Sequence, residues 1–247
     1  MTIFEGVLYL RNNNNELIWV EKDDPTEEDG KYIGQIENGE PSGHGVFTYP
    51  NGERYEGDWK QGKRHGIGTY IDPDGRKYVG QWIDGGGEGN GEITWKNGDK
   101  YEGQIKDGDM HGLGSFFWKD GDIYKGEYKE GNRHGKGIYM HSDGKYFEGN
   151  WENGSINGQG KYTYPDGRTY KGTWENSKLC GKGIYEGFGG EKYEGIWKNG
   201  EYHGQGIYTF SDGTRWEGEW IEDKPLNIVE FSKDGKINGK IVNGIQE

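Results

Sequence analysis

Four histidines occupy equivalent places in a repeated pattern, and histidine is the commonest metal ligand in proteins. They are His65, His111, His134 and His203. By the spacing of β-strands, the pair in neighbouring units, His111 and His134, would lie about 10 Å apart. A zinc ion needs its ligands about 2.1 Å away. We therefore expect structural roles for these histidines in turns, and we predict no metal site and no cofactor.

The other candidate chemistry also follows the repeat. The single cysteine, Cys180, stands where other units carry histidine, and no base of its own lies beside it in sequence. The glycine-rich stretch 85–91 lacks the Lys-Ser/Thr pair and the helix of a phosphate-binding loop. The recurring carboxylates belong to a face that we expect to be solvated rather than catalytic; they are Glu56, Glu102, Glu148, Glu194 and Glu217. We predict that the chain is not an enzyme.

The composition excludes several classes of protein. The formal net charge of −13 argues against nucleic-acid binding, which needs a basic surface, and mildly against anionic membranes. Only 29% of residues are apolar, but the 15% that are aromatic argue against disorder. No run of 18 apolar residues occurs, so we expect no membrane span. One cysteine suits a reducing compartment, and we expect a cytoplasmic protein.

A period of 23 residues organises the chain. An aromatic residue, any residue and then glycine begin each unit, and most of the 49 glycines fall at fixed places within it. Such a fixed period is the mark of a repeat architecture. The nine starts are Tyr32, Tyr55, Tyr78, Tyr101, Tyr124, Phe147, Tyr170, Tyr193 and Trp216. We number each unit from this aromatic residue, as positions 1 to 23.

Each unit is predicted to be a β-hairpin. In the second unit, residues 55–60 alternate between aromatic or glycine residues and polar ones, which is typical of a half-buried strand. Residues 61–64 are predicted to form the turn, with a second strand from about Gly66 to Ile71. Residues 72–75, Asp-Pro-Asp-Gly, then form the connection to the next unit.

The alternation assigns the aromatic residues and glycines to one sheet face. Glycine beside a large ring leaves room for the ring to lie flat, and rows of glycine allow a sheet to curve. We predict an all-β fold: an elongated, twisted and curved antiparallel meander of about nine hairpin repeats, solenoid-like, with an aromatic groove. The ring at position 1 is expected mainly to pack, and positions 5 and 18 are the more variable. The predicted partner-binding groove comprises Tyr55, Trp59, Trp82, Trp95, Trp118, Tyr128, Trp151, Tyr164, Trp174, Trp197, Phe210 and Trp220.

Both ends of the repeat array are predicted to be caps. Residues 1–31 should hold a capping hairpin, with strands at 7–10 and 17–20, followed by an acidic loop at 23–29. The array should extend over residues 32–227. Residues 228–247 are predicted to be a degenerate repeat that closes the array.

The repeated motif resembles the MORN repeat (membrane occupation and recognition nexus). It stands here as Tyr55-Glu56-Gly57-Asp58-Trp59, then His65-Gly66-Ile67-Gly68, then Asp74-Gly75, and it recurs in the eighth unit as Tyr193-Glu194-Gly195-Ile196-Trp197. Such arrays occur in ciliary radial-spoke proteins, in junctophilins that tether membranes, and beside kinase or methyltransferase domains. The resemblance implies a protein-interaction scaffold.

The expected function is therefore non-catalytic capture of a helical or extended partner polypeptide along the aromatic groove, within a larger cytoskeletal, ciliary or membrane-associated assembly. The alternatives are a module that binds phospholipid headgroups at a membrane, a regulatory partner of a separate enzyme, and recognition of a small ligand by aromatic cages. A homodimer through the C-terminal repeats is a further hypothesis, suggested by the apolar pair Ile228-Val229.

Overall fold

The computed structural model describes residues 3–13, 16–21 and 30–247. These residues form 22 strands and no helix, and every strand pairing is antiparallel. The predicted all-β meander of hairpin repeats is thereby confirmed. The strands are β1 (Phe4–Asn13), β2 (Glu16–Val20), β3 (Gly30–Glu37), β4 (Glu40–Thr48), β5 (Arg54–Lys60), β6 (Lys63–Ile71), β7 (Lys77–Ile83), β8 (Gly86–Thr94), β9 (Lys100–Lys106), β10 (Asp109–Phe117), β11 (Ile123–Lys129), β12 (Asn132–Met140), β13 (Tyr146–Glu152), β14 (Ser155–Thr163), β15 (Thr169–Glu175), β16 (Lys178–Glu186), β17 (Lys192–Lys198), β18 (Glu201–Thr209), β19 (Arg215–Ile221), β20 (Lys224–Phe231), β21 (Ile237–Val242) and β22 (Ile245–Gln246).

The strands belong to two compact units, each of which contains several of the 23-residue repeats. The first unit comprises residues 1–119 and 128–131, and the second comprises residues 120–127 and 132–247. In the first unit, β1 pairs with both β2 and β3, and each later strand up to β10 pairs with the one before it. In the second unit the same ladder extends from β12 to β22.

The hairpin turns are tighter than the sequence pattern predicted. In the second repeat only Gln61 and Gly62 lie between the strands, and β6 begins at Lys63 rather than near Gly66. Both turn residues have positive φ, 50° and 72°, which is the pattern of a type I′ turn. Two residues with positive φ occupy the same positions in all nine repeats, including the non-glycine pair Asn176 and Ser177. The predicted four-residue turn was therefore wrong.

A bulge follows the turn, as in the second repeat. Gly57 pairs with Gly68, but its neighbour Asp58 pairs with His65, so Gly66 and Ile67 are extra on β6. Gly66 has a φ of 60°, which explains the glycine at position 12. The Asp58 side chain accepts a hydrogen bond from the backbone N–H of Ile67 at 3.1 Å. The side chain at position 4 thus satisfies a donor that the bulge removes from the ladder.

The core is a layer of rings on one sheet face. Tyr55 is buried, its hydroxyl group donates to the backbone carbonyl oxygen of Asp58 at 2.9 Å, and its ring covers Gly57 and Gly68. Glycine is required at both positions, because a β-carbon on Gly68 would collide with the Tyr55 ring and one on Gly57 would collide with the backbone of β6. The same arrangement recurs with Tyr32, Tyr101, Tyr124 and Tyr193.

At the ends, β1 and β2 form the expected N-terminal hairpin, and β20 and β21 contain the predicted terminal strands at 228–231 and 240–242. β20 begins at Lys224, so it crosses the proposed boundary at residue 228. The predicted acidic loop at 23–29 lies outside the described residues. The division into two caps and an array stays a prediction.

Candidate partner-binding surface

The twelve predicted groove residues divide by burial. Eight are at most 8% exposed: Tyr55, Trp59, Trp82, Tyr128, Trp151, Trp174, Trp197 and Trp220. The other four, Trp95, Trp118, Tyr164 and Phe210, are half-buried. All four stand at position 18, where a strand ends and the connection to the next repeat begins. Among these twelve residues, the partly exposed rings are therefore those at position 18 rather than those at positions 1 and 5.

The tryptophans at position 5 are buried because each one joins two repeats. The indole N–H of Trp82 donates to the backbone carbonyl oxygen of Gly68, in the preceding repeat, at 3.3 Å. The ring also packs edge-on against Tyr55 and Tyr78, with centroids 5.1 and 5.2 Å apart. Trp59 makes the equivalent hydrogen bond to Gly45 at 3.2 Å. Edge-on aromatic pairs with a satisfied indole are stable core arrangements.

The half-buried rings pack with the rings of position 16. Phe116 lies between Trp95 and Trp118, with centroid distances of 5.1 and 4.4 Å. In the second unit, Phe210 packs on Tyr208 at 4.8 Å. Positions 16 and 18 thus form a partly exposed aromatic margin along the buried layer in each of the two compact units.

The seventh repeat opens a cavity on the aromatic face of the second unit. Leu179 is buried and lies over Gly172 and Gly183, the place that the position-1 ring takes in other repeats. Tyr170 is only half-buried and packs on Tyr185 at 4.9 Å. The cavity has a volume of about 420 Å³, and its lining is Lys145, Tyr162, Tyr164, Tyr170, Trp174, Ser177, Lys178, Leu179, Trp197 and Gly200. Three predicted groove residues, Tyr164, Trp174 and Trp197, therefore meet at one concave site.

A smaller cavity of about 180 Å³ lies on the same face, at the sixth repeat. Its wall includes Arg133, whose guanidinium group lies 4.5 Å from the Trp151 ring centroid. The Tyr139 hydroxyl group donates to the Asp122 carboxylate at 2.6 Å, and His141 Nδ1 lies 3.3 Å from that carboxylate. Burial alone would raise the pKa of Asp122, but hydrogen bonds from Tyr139 and Ser142 hold it below its usual value. The site is polar at one end and aromatic at the other.

The candidate catalytic residues show no catalytic arrangement. Burial and a hydrogen bond with Glu175 raise the pKa of the Cys180 thiol, which makes it a weaker nucleophile. Among the described residues, no three histidine, cysteine, aspartate or glutamate side chains converge as metal ligands. The ring nitrogen Nδ1 of His65 is buried and has no hydrogen-bond partner in the described part of the chain.

The opposite sheet face carries a feature that the sequence pattern did not indicate. In the second unit, two adjoining cavities of about 640 and 460 Å³ share Gln159 and Lys171 in their linings. Five lysines from positions 2, 13 and 15 line them: Lys125, Lys136, Lys161, Lys171 and Lys182. We call this surface the lysine face. These residues are far apart in sequence, and only the strand register brings them together.

The profile of the MORN repeat matches residues 32–54, 55–75, 78–100, 101–123, 124–146, 147–167, 170–191 and 193–215. This chain belongs to the MORN-repeat family. The predicted resemblance is confirmed, over eight of the nine repeats that the 23-residue period marks. The profile does not match the ninth repeat, which begins at Trp216, although β19 and β20 form a hairpin there. MORN repeats are generally non-catalytic modules that bind proteins or membranes.

Among solved structures, similarity to this MORN-repeat chain is low. The SAS-4 (dCPAP) TCP domain in complex with a proline-rich motif of Ana2 from Drosophila melanogaster is 12% identical, with 70% of this chain and 87% of that chain covered, at a TM-score of 0.38. The TCP10 domain of Danio rerio CPAP is 13% identical, with 80% and 99% covered, at a TM-score of 0.33. Virginiamycin B lyase from Staphylococcus aureus is 14% identical, with 98% and 74% covered, at a TM-score of 0.16. Alignments at these scores carry no argument about function.

No curated protein matches the chain. The described MORN repeats contain no helix that is long and apolar enough to cross a membrane.

Proposed function

We propose that this protein is a non-catalytic scaffold that binds a partner polypeptide, helical or extended, along the aromatic face of its MORN repeats. The binding builds a larger cytoskeletal, ciliary or membrane-associated assembly. The observation that carries the proposal is the 420 Å³ cavity of the second unit, where Tyr164, Trp174 and Trp197 line one concave site. Aromatic side chains in concave pockets are the usual anchors of protein interfaces.

The position-18 rings extend this site along the face. Tyr164 and Phe210 are half-buried in the free chain, so a partner would bury the remaining surface of both. An aromatic groove of this kind suits an amphipathic helix or an extended segment laid along it. The fully buried tryptophans would act as its floor.

The test is crosslinking affinity purification from the native source with the wild type and two variants. Tyr164→Ala/Phe210→Ala removes two rings of the margin with little loss of core. The matched control is Tyr146→Ala, because the ring of Tyr146 is exposed and lies on the opposite sheet face. Its neighbour Phe147 is buried on the aromatic face. Circular dichroism would establish that all three proteins are folded.

The proposal expects a protein that is recovered with the wild type and Tyr146→Ala and is lost with Tyr164→Ala/Phe210→Ala. If all three baits recover the same proteins in equal amounts, the aromatic margin is not the binding surface.

We also propose that the chain forms a homodimer through its C-terminal repeats. Ile228, of the pair that suggested the dimer, is buried, but three other apolar side chains near the C-terminus are exposed and support it, namely Ile237, Val242 and Ile245. Light scattering should then give twice the chain mass of 28.0 kDa at high concentration. Monomer mass at every concentration would end this proposal, and Ile237→Ser/Ile245→Ser should abolish any dimer.

A further inference from the structure

The lysine face carries an excess of positive charge on an acidic chain. Its five lysines are exposed, and only two carboxylates, Glu148 and Glu194, line the same cavities. None of the five lysines forms an ion pair with any residue of the described chain. The whole protein has a net charge of −13, so this local excess runs against the composition.

Two of these lysines oppose each other directly. Lys161 on β14 and Lys171 on β15 are cross-strand partners, and such pairs bring β-carbons within about 5 Å of each other. Like charges in this relationship destabilise a sheet. Glu148 is the cross-strand partner of Lys161 on its other side, yet neither Lys161 nor Lys171 forms an ion pair within the described chain. The opposed lysines therefore cost stability in the free chain, and a bound anionic group would relieve that cost.

Apolar side chains flank the charges. Ile138, Ile184 and Ile196 line the same two cavities, and Ile138 is 36% exposed. The row across the strands has three charged residues between two isoleucines: Ile138 pairs with Glu148, Glu148 with Lys161, Lys161 with Lys171, and Lys171 with Ile184. A uniformly anionic membrane would meet the glutamates unfavourably and would leave the isoleucine cavities unfilled.

We propose that the lysine face binds an acidic polypeptide segment that also carries apolar side chains. The distance from β12 to β16 is four strand spacings, about 19 Å. An extended segment of about six to eight residues would cross it at about 3.3 Å per residue. Its carboxylates would lie between Lys161, Lys171 and Lys182, and its apolar side chains would enter the cavities beside Ile138 and Ile184.

The test measures the fluorescence anisotropy of a labelled peptide of alternating glutamate and leucine, about eight residues long. A second peptide has glutamine in place of glutamate. The full-length chain is titrated as wild type, as Lys161→Glu/Lys171→Glu, and as the control Lys60→Glu/Lys106→Glu. The control lowers the net charge by the same four units but lies in the first unit, on exposed lysines.

The inference expects the wild type and the control to bind the glutamate peptide equally, and Lys161→Glu/Lys171→Glu to bind at least about tenfold more weakly. The glutamine peptide should bind about tenfold more weakly than the glutamate peptide. Should the charge reversal perturb folding, Lys161→Gln/Lys171→Gln provides a milder variant with the same expected direction.

Three results would overturn the inference: no binding of the glutamate peptide by the wild type, equal weakening by both double variants, or binding only to vesicles of phosphatidylserine and phosphatidylcholine. The last result would assign the surface to a membrane. Tyr164→Ala/Phe210→Ala should bind the glutamate peptide as the wild type does. A failure on the lysine face therefore leaves the aromatic-face proposal standing, and the reverse also holds.

Discussion

The ring of Tyr55 lies directly over Gly68, so closely that a β-carbon on Gly68 would overlap the tyrosine hydroxyl group. This contact repeats as Tyr101 over Gly114 and Tyr193 over Gly206. The glycines of the MORN repeat therefore serve as the floor on which the buried rings lie. Substitutions at these glycines should affect stability through the rings rather than through the backbone.

Replacing Gly68 by alanine should lower the free energy of unfolding by about 1–3 kcal/mol, the usual cost of overpacking a core. The matched control is Gly86→Ala: Gly86 has no positive φ, and the nearest atom to an added β-carbon is the Ile83 carbonyl oxygen at 3.7 Å. The control should change stability by less than about 0.5 kcal/mol. Urea denaturation followed by tryptophan fluorescence compares them, and equal midpoints would contradict the packing described here.

Tryptophan-to-phenylalanine substitutions should differ between repeats. Trp59 and Trp197 are equally buried, but only Trp59 donates its indole N–H to a carbonyl, that of Gly45; the indole N–H of Trp197 has no partner in the described chain. Trp59→Phe should cost about 0.5–1.5 kcal/mol more than Trp197→Phe, the net value of one hydrogen bond. Thermal unfolding of both variants measures the difference. A larger loss for Trp197→Phe would argue against it.

Alkaline pH should destabilise the fold through the buried tyrosines. Burial raises the pKa of Tyr101 to about 12, from 10.0 in an exposed tyrosine. The folded state therefore keeps a proton that the unfolded state releases between these values, so stability is unaffected below pH 10 and falls as the pH rises to about 12. Denaturation midpoints across this range, with tyrosinate absorbance, test the effect.

Tyr101→Phe serves as the control for this pH dependence. It removes the hydroxyl group that donates to the Gln104 carbonyl oxygen at 2.8 Å, so it should lower stability at neutral pH by about 0.5–1.5 kcal/mol. It should also reduce the loss of stability at alkaline pH by the contribution of one buried tyrosine. An unchanged slope would mean that Tyr101 does not contribute.

Lys171→Glu should stabilise the second unit while it weakens binding on the lysine face. The substitution turns the like-charge partner of Lys161 into an opposite charge, worth about 0.2–1 kcal/mol at low salt, and added salt should reduce the gain. Lys182→Glu is the control, because Lys182 lies opposite the uncharged Ile196, and it should gain less. If Lys171→Glu lowers stability, the opposition of Lys161 and Lys171 is not a cost to the fold.

The sequence by itself determined the hairpins, their number and their family. The period of 23 residues and the alternation of rings with glycine are local signals, because neighbouring side chains on a strand must point to opposite faces. The turn carries a local signal in some repeats, since Asp84-Gly85 is one of the dipeptides that favour a two-residue type I′ turn. Gln61 carries no such signal, yet it too adopts a positive φ before a glycine.

Only the tertiary structure decided which rings are buried and which charges meet. Trp82 is buried because Gly68 and Tyr55, in the preceding repeat, surround it, and Tyr170 is half-exposed because Leu179 takes its place. Lys161 and Lys171 belong to different repeats, and the register of β14 with β15 makes them neighbours. Burial and charge proximity depend on contacts between strands, whereas a sequence pattern orders residues only along a strand.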